Sequence, residues 1–171
     1  MSPTPTEQFI QALQSLKPGD LGRLRQHAGL PLDESVGAFD LFAGLWWPLR
    51  RQNQRAPRRE VAWLVAKLYA FRPLPQKDGA TLARQLGRLH LRHTESRLQQ
   101  SFDSLLLLPL ERIEPALRWA LTRLADPSAG LDWVQMTDDL SIWEQEATRL
   151  NWAHVFLGLA DQTPQGRSVL C

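Results

Sequence analysis

The sequence predicts an all-α protein of about eight to nine helices. Apolar residues recur at intervals of three and four along most of the chain, as in Phe9, Leu13 and Leu16. Proline and glycine separate these segments, and no stretch of useful length alternates apolar and polar residues as a half-buried strand would. With 43% hydrophobic residues in 171, the chain is able to bury one good core or two small ones.

Four helices are predicted in the first 76 residues, over segments 9–16, 21–25, 35–47 and 60–71. Pro18-Gly19 ends the first, Asp20 caps the second, and Pro48 closes the third. A polar loop is predicted over residues 50–59. The fourth segment is apolar on most faces, which predicts a buried central helix.

The remaining helices are predicted to include residues 79–91, 97–106, 117–124, 133–143 and 150–157. Asp78, Thr94 and Asp132 are predicted as caps, and Pro115 is predicted in a first helical turn. These segments divide into an N-terminal bundle (residues 1–76), a C-terminal bundle (77–160) and a flexible tail (161–171).

Charge is segregated along the chain, although the net charge is only +2. Residues 50–97 hold twelve Lys or Arg against three acids, whereas residues 126–161 hold seven acids against one base, Arg149. Seventeen of the twenty basic residues are Arg, which binds phosphate bidentately and stacks on bases better than Lys does. The basic stretch therefore indicates a polyanion or an acidic protein as partner.

Two groups of arginines carry this signal. Five lie in the segment 50–59, and Arg84, Arg88 and Arg92 recur every four residues, which places them on one helix face. Arg97 follows on the next helix. The alternative is a solvated face with ordinary salt bridges, either within the molecule or between subunits.

Other chemistry is poorly supported by the sequence. His90 and His93 with Glu95 do not complete a zinc ligand set, and no cysteine lies near them. A nucleophile elbow, a phosphate-binding loop and a dinucleotide fingerprint are missing from the sequence. We therefore predict no catalytic residue, no metal site and no cofactor.

The compartment predicted is the cytoplasm. Cys171 is the only cysteine, which excludes an internal disulfide. Residues 1–9 hold an acid and no base, unlike a secretory signal, and the apolar runs are too short to cross a bilayer. We expect no membrane association.

The last third of the chain carries an ordered pattern, Leu131-Asp132-Trp133-x-x-Met136-x-x-Asp139-Leu140-x-x-Trp143, followed by Trp152-Ala153-x-x-Phe156. Upstream motifs are Ala83-Arg84-Gln85-Leu86, Glu95-Ser96-Arg97-Leu98 and Leu117-Arg118-x-Ala120-Leu121. In order and spacing these motifs resemble the CasB family, the small subunit of Cascade, the type I-E CRISPR surveillance complex of antiviral defence. The resemblance covers roughly residues 60–157; before them it rests on length and helical pattern.

The resemblance implies an all-helical, two-bundle, non-enzymatic subunit. Family members sit as two head-to-tail copies along the complex, in contact with its backbone and large subunits. They help hold the R-loop that crRNA forms with target DNA, and their basic residues line a path for displaced single-stranded DNA.

Arg84, Arg97 and Arg118 match basic positions of the family, whereas Arg25 and the arginines of residues 50–59 match in region only. Gln99-Gln100 stand where the family often has two basic residues, which reduces contacts there or shifts them to Arg88 and Arg92. The predicted nucleic-acid-binding residues are Arg25, Arg50, Arg51, Arg58, Arg59, Arg84, Arg88, Arg92, Arg97 and Arg118.

The acidic segment is predicted to be an assembly surface. We expect residues 126–146, through Asp132, Asp138 and Asp139, to meet a basic surface on a second copy or a neighbouring subunit. The three aspartates as catalytic carboxylates are a weaker interpretation, because Asp132 is explained as a cap and the other two as a solvated helix face.

Two other classes of protein stay open. A helical adaptor would use the arginines for an acidic protein partner and would not bind nucleic acid. A metal-dependent hydrolase would use the histidine pair or the aspartates.

Overall fold

A computed structural model describes residues 2–93, 96–124 and 126–158 and confirms the all-α prediction. Over those residues it has nine α-helices. They are α1 (Pro5–Gln14), α2 (Pro18–Arg25), α3 (Val36–Gln52), α4 (Arg59–Phe71), α5 (Leu82–His93), α6 (Ser96–Leu106), α7 (Glu114–Arg123), α8 (Trp133–Ser141) and α9 (Glu146–Phe156). Short 3-10 turns occupy Leu32–Glu34, Leu110–Arg112 and Pro127–Ala129.

Helix α4 is the centre of the molecule. Every residue from Val61 to Ala70 is buried, as its apolar sequence predicts. It packs against α2, α3, α7 and α8, and α1 also packs on α8. One core therefore joins the two halves of the chain, and the division near residue 76 stays a prediction.

The segment before α5 is clamped to the start of α8. The Asp132 carboxylate caps α8 through the backbone N–H of Gln135 at 3.0 Å. The same carboxylate accepts hydrogen bonds from the Gln76 amide at 2.9 Å and from the Gly79 backbone N–H at 2.8 Å. The Trp133 indole N–H donates to the Leu74 carbonyl at 2.8 Å. This clamp fixes where α5 begins relative to α8.

Helices α5 and α9 pack tightly against each other. Gly87 of α5 faces the backbone of Phe156, and a Cβ atom at residue 87 would overlap that backbone. The Phe156 ring stacks on Phe102 of α6, with 4.4 Å between ring centroids. The contact buries one face of α5 and leaves the opposite face to solvent.

Several predicted boundaries are wrong. Pro48 lies inside α3, because its ring faces solvent and its missing N–H would have bonded only Gly44, so the helix continues to Gln52. Arg50 and Arg51 are consequently helical, and the loop is limited to residues 53–58.

Caps were predicted with mixed success. Asp132 and the first-turn position of Pro115 are confirmed. Asp20 is not a cap, because α2 begins at Pro18, two residues earlier. Asp78 is not one either, because α5 begins at Leu82 and the Thr81 hydroxyl accepts from the Arg84 backbone N–H at 3.3 Å. The predicted cap Thr94 lies outside the described residues.

Candidate nucleic-acid interface

The exposed face of α5 carries the predicted arginine stripe. Arg88 and Arg92 are exposed, whereas Arg84, closer to the clamp, is half-buried. Leu82, Ala83 and Leu86 occupy the buried side of the helix, so the i, i+4 spacing of the arginines turns Arg88 and Arg92 to solvent. Arg97, at the start of α6, is also exposed. Within the described residues, none of these three exposed arginines has a hydrogen-bond or ion-pair partner.

The arginines of residues 50–59 are not equivalent. Arg50 donates to the carbonyls of Gln54 and Ala56, at 2.6 and 2.8 Å, and so shapes the loop after α3. Arg58 makes a two-pronged pair with Glu144, at 3.2 Å for both nitrogen–oxygen contacts. Arg59 approaches Glu60 at 3.5 Å. Arg51 is exposed and has no such partner in the part of the chain that the structure describes.

Arg25 and Arg118, which are distant in the sequence, both contact the last residues of α4. Arg25 donates to the Ala70 carbonyl at 3.0 Å, in the last turn of α4. A cation at this end of a helix also interacts favourably with the helix dipole. The Arg118 guanidinium lies 4.8 Å from the centroid of the neighbouring Phe71 ring. Both arginines therefore help to hold the core, whatever else they bind.

The predicted interface aspartates have partners within the chain. Asp132 is buried in the clamp. Asp138 accepts from the Thr6 hydroxyl at 2.8 Å, and Asp139 accepts from the Trp152 indole N–H at 2.8 Å and from the Gln135 amide at 2.9 Å. Desolvation raises the pKa of both the Asp138 and Asp139 carboxyls, although these hydrogen bonds act in the opposite direction.

Part of the charge segregation is neutralised inside the molecule. Glu144, from the acidic segment, is held by Arg58, from the basic segment, and this hydrogen bond lowers the pKa of Glu144. The pair stands on the surface, where such contacts contribute little to stability. The local pairing that we weighed as an alternative is therefore real for Arg58, and is not seen for Arg88, Arg92 or Arg97 among the described residues.

Sequence reasoning missed a buried ion pair beneath a surface groove. Lys67 of α4 bonds Glu114 of α7, and both also bond the loop after α2, through the Leu30 carbonyl and the Gly29 N–H. Burial lowers the pKa of Lys67, while Glu114 opposes the shift. The groove above has a volume of about 820 Å³, and Trp63 and Leu64 form part of its lining. Lys67 within an otherwise apolar helix was the signal available.

The described residues form no arrangement that supports the metal-site hypothesis for His90, His93 and Glu95. His90 stacks on Phe156, and the His93 side chain and Glu95 lie outside the described residues. Elsewhere in the described ranges, no three His, Cys, Asp or Glu residues come close enough to hold a metal ion. No helix in those ranges is long and apolar enough to span a bilayer.

Comparison with known proteins decides the family. Residues 20–156 match the family described as CRISPR-associated protein Cse2. The chain belongs to the Cse2 family. The match begins well before residue 60, so it includes much of the region in which the motifs gave no alignment. A comparison with curated protein sequences found no significant match.

Solved structures of Cse2 and CasB proteins share the fold. CasB from Thermus thermophilus is 25% identical with a TM-score of 0.72, covering 92% of this chain and 99% of its own. A second Thermus thermophilus structure, of a CRISPR-associated protein of the Cse2 family, is 26% identical with a TM-score of 0.71 and the same coverages. CasB from M. ruber, 22% identical, covers 93% of this chain and 96% of its own, with a TM-score of 0.71. The resemblance to CasB is thus confirmed.

In this Cse2-family chain the C-terminal motif is structural. Its members Leu131, Trp133, Met136, Leu140 and Trp143 are all buried. The Trp143 indole N–H donates to the Leu108 carbonyl at 2.9 Å, and its ring meets the Trp152 ring edge-on at 5.0 Å. The motif that reveals the family therefore builds the core between α8 and α9. Any contact with other Cas subunits or nucleic acid must come from exposed residues.

Proposed function

We propose that this Cse2-family protein is the non-catalytic small subunit of a type I-E Cascade complex, and that it stabilises the R-loop by binding displaced single-stranded DNA. Membership of the family supports a place in a CRISPR effector complex with other Cas subunits. The observation that carries the finer proposal is the group Arg88, Arg92 and Arg97, exposed and without carboxylate partners in the described ranges.

These arginines suit a phosphate backbone. An exposed guanidinium binds a phosphate through two parallel hydrogen bonds, and neither partner needs a particular base. In an RNA-guided complex the guide reads the sequence by base pairing, so the protein needs only to hold the strands. Because the strand exchange is close to balanced, a few phosphate contacts shift it measurably.

The test replaces the three arginines in a reconstituted complex. With Arg88→Ala, Arg92→Ala and Arg97→Ala together, we expect the R-loop to dissociate about tenfold faster, because three charged contacts to the strand are lost. The control is Lys17→Ala with Arg112→Ala, exposed cations on other elements, which should change little. An unchanged R-loop lifetime in a fully assembled triple variant would refute the proposal and favour the protein-adaptor alternative.

We also propose that the acidic segment bridges neighbouring subunits, but through fewer residues than the sequence predicts. Glu146 is exposed, and Asp138 is exposed with one bond, to Thr6, whereas Asp132 is buried and Asp139 is half-buried, and both are bonded within the chain. We therefore expect Asp138→Lys with Glu146→Lys to reduce incorporation into the complex at physiological salt, by like-charge repulsion against a basic neighbour. Normal incorporation of this pair, judged by size-exclusion chromatography, would remove the acidic segment from the assembly surface.

A further inference from the structure

Helix α3 presents an apolar face to solvent that the core does not use. Val36 is 83% exposed, Phe39 53% and Trp47 51%. They are spaced at three and eight residues along the helix, so they fall on one side, away from the buried Ala38. Large aromatic side chains so exposed on one helix face usually mark a binding surface.

Successive contacts between aromatic rings link Trp47 to the core. Trp63 of α4 meets Phe42 edge-on at 5.4 Å, Phe42 stacks on Trp46 at 5.6 Å, and Trp46 contacts Trp47 at 5.9 Å. The Trp46 indole N–H donates to the Pro57 carbonyl at 2.7 Å, which fixes its ring. Trp47 therefore contacts a ring that is itself held by packing and by a hydrogen bond.

The charges near the Trp47 end of this face are positive, whereas the exposed acids Asp33 and Glu34 lie before its Val36 end. Arg51 lies one turn beyond Trp47 and is exposed without a partner in the described residues, and Arg55 is exposed in the loop that follows. The single acid of α3, Asp40, is paired with Arg23 at 2.7 Å, which lowers the pKa of its carboxyl. A ligand on this face would thus meet flat apolar rings beside unopposed guanidinium groups.

We propose that the outward face of α3 is a stacking platform for single-stranded nucleic acid, in which bases stack on Trp47 and Phe39 while Arg51 and Arg55 bind the adjoining phosphates. Unpaired bases offer a flat ring and a nearby negative charge at every nucleotide, which is the combination this face complements. An apolar protein helix would cover the rings but leave Arg51 and Arg55 without anionic partners. The inference rests on the proposed function, because it gives the bound single strand a second contact besides α5 and α6.

The test separates stacking from phosphate binding. Binding of an oligo-dT strand and of an abasic strand of equal length is measured for the whole protein carrying Trp47→Ala. Trp47→Phe is the conservative variant, and Leu107→Ala is the control for loss of an exposed apolar side chain. We expect Trp47→Ala to weaken oligo-dT binding about tenfold and to leave abasic binding unchanged. Trp47→Phe should retain most of the affinity, and Leu107→Ala should be neutral.

Each other outcome has a defined meaning. If Trp47→Ala binds oligo-dT as tightly as the unaltered protein does, the platform is wrong while the proposed function stands. If the unaltered protein, free and within the complex, binds neither strand, the proposed function itself fails. If Trp47→Ala only blocks assembly with other subunits, the face docks protein and the inference is overturned. Should Trp47→Ala not fold, photocrosslinking of a bromodeoxyuridine strand to the unaltered chain decides: a crosslink at Trp47 supports stacking, and its absence contradicts it.

Discussion

At the scale of single residues, local roles were predictable and long-range partners were not. The cap at Asp132 follows from a short acid placed just before an apolar run, and the structure confirms it. The bond between Asp139 and Trp152 does not follow from spacing, because it depends on how α8 and α9 pack. Asp139 therefore looked like a solvated carboxylate in the sequence, although it is half-buried and bonded.

The pH dependence of stability reports on Asp139. Its pKa is raised by burial above the ordinary value of 3.8, so the folded chain holds this proton more tightly than the unfolded chain. The stability that depends on protonated Asp139 is therefore present below pH 3.8 and is lost as pH rises through the raised pKa of the folded chain. Asp139→Asn removes the charge. We expect the free energy of unfolding of this variant to rise relative to that of the natural chain as pH increases across this window.

Urea unfolding from about pH 4 to about pH 7 measures this difference. Asp139→Ala is the control, because it leaves the Trp152 indole N–H without its acceptor and should lower stability by about 1–3 kcal/mol. A difference between the Asn variant and the natural chain that stays constant over that range would show that the carboxylate is not desolvated.

At the scale of elements, helix identity was predictable and helix ends were less so. Apolar periodicity located the helices of the described ranges, including the buried α4. Pro48 was misjudged because a proline breaks a helix only through its own missing bond and its clash with residue i−4, which here is the exposed Gly44. For the same reason the sequence predicts Arg50 and Arg51 in a loop, whereas they lie on α3. Arg51 follows Trp47 on the outward face of that helix.

The packing of α5 on α9 holds the exposed arginines in place. Gly87→Ala would push a methyl group into the backbone of Phe156. We expect a loss of about 2 kcal/mol in unfolding free energy from overpacking, although alanine alone favours a helix by about 1 kcal/mol.

Gly44→Ala in α3 is the matched control, since no atom beyond its chain neighbours and the backbone of its own helix lies within 4 Å of the added Cβ. It should stabilise the protein by up to about 1 kcal/mol. If Gly87→Ala were neutral or stabilising by thermal or urea unfolding, the close α5–α9 contact would be incorrect.

At the scale of the whole molecule, segregated charge in the sequence resolves into two populations of arginine. Arg25, Arg50, Arg58 and Arg118 are engaged with carbonyls, a carboxylate or a ring, and so support the fold. Composition cannot separate them from Arg88, Arg92 and Arg97, because the distinction depends on which acids and carbonyls the fold brings near. The family was recognisable because its motif residues build the core, whereas the surface that would contact nucleic acid has no comparable pattern.

The salt dependence of single-strand binding tests the central claim, that Arg88, Arg92 and Arg97 bind the phosphate backbone. Each phosphate contact to a single strand contributes about 0.7 to the slope of log affinity against log salt. For Arg88→Ala with Arg92→Ala, we predict a slope shallower by about 1.4 than in the natural protein, with no change for Lys17→Ala with Arg112→Ala. Equal slopes in the natural protein and both folded variants would contradict the account.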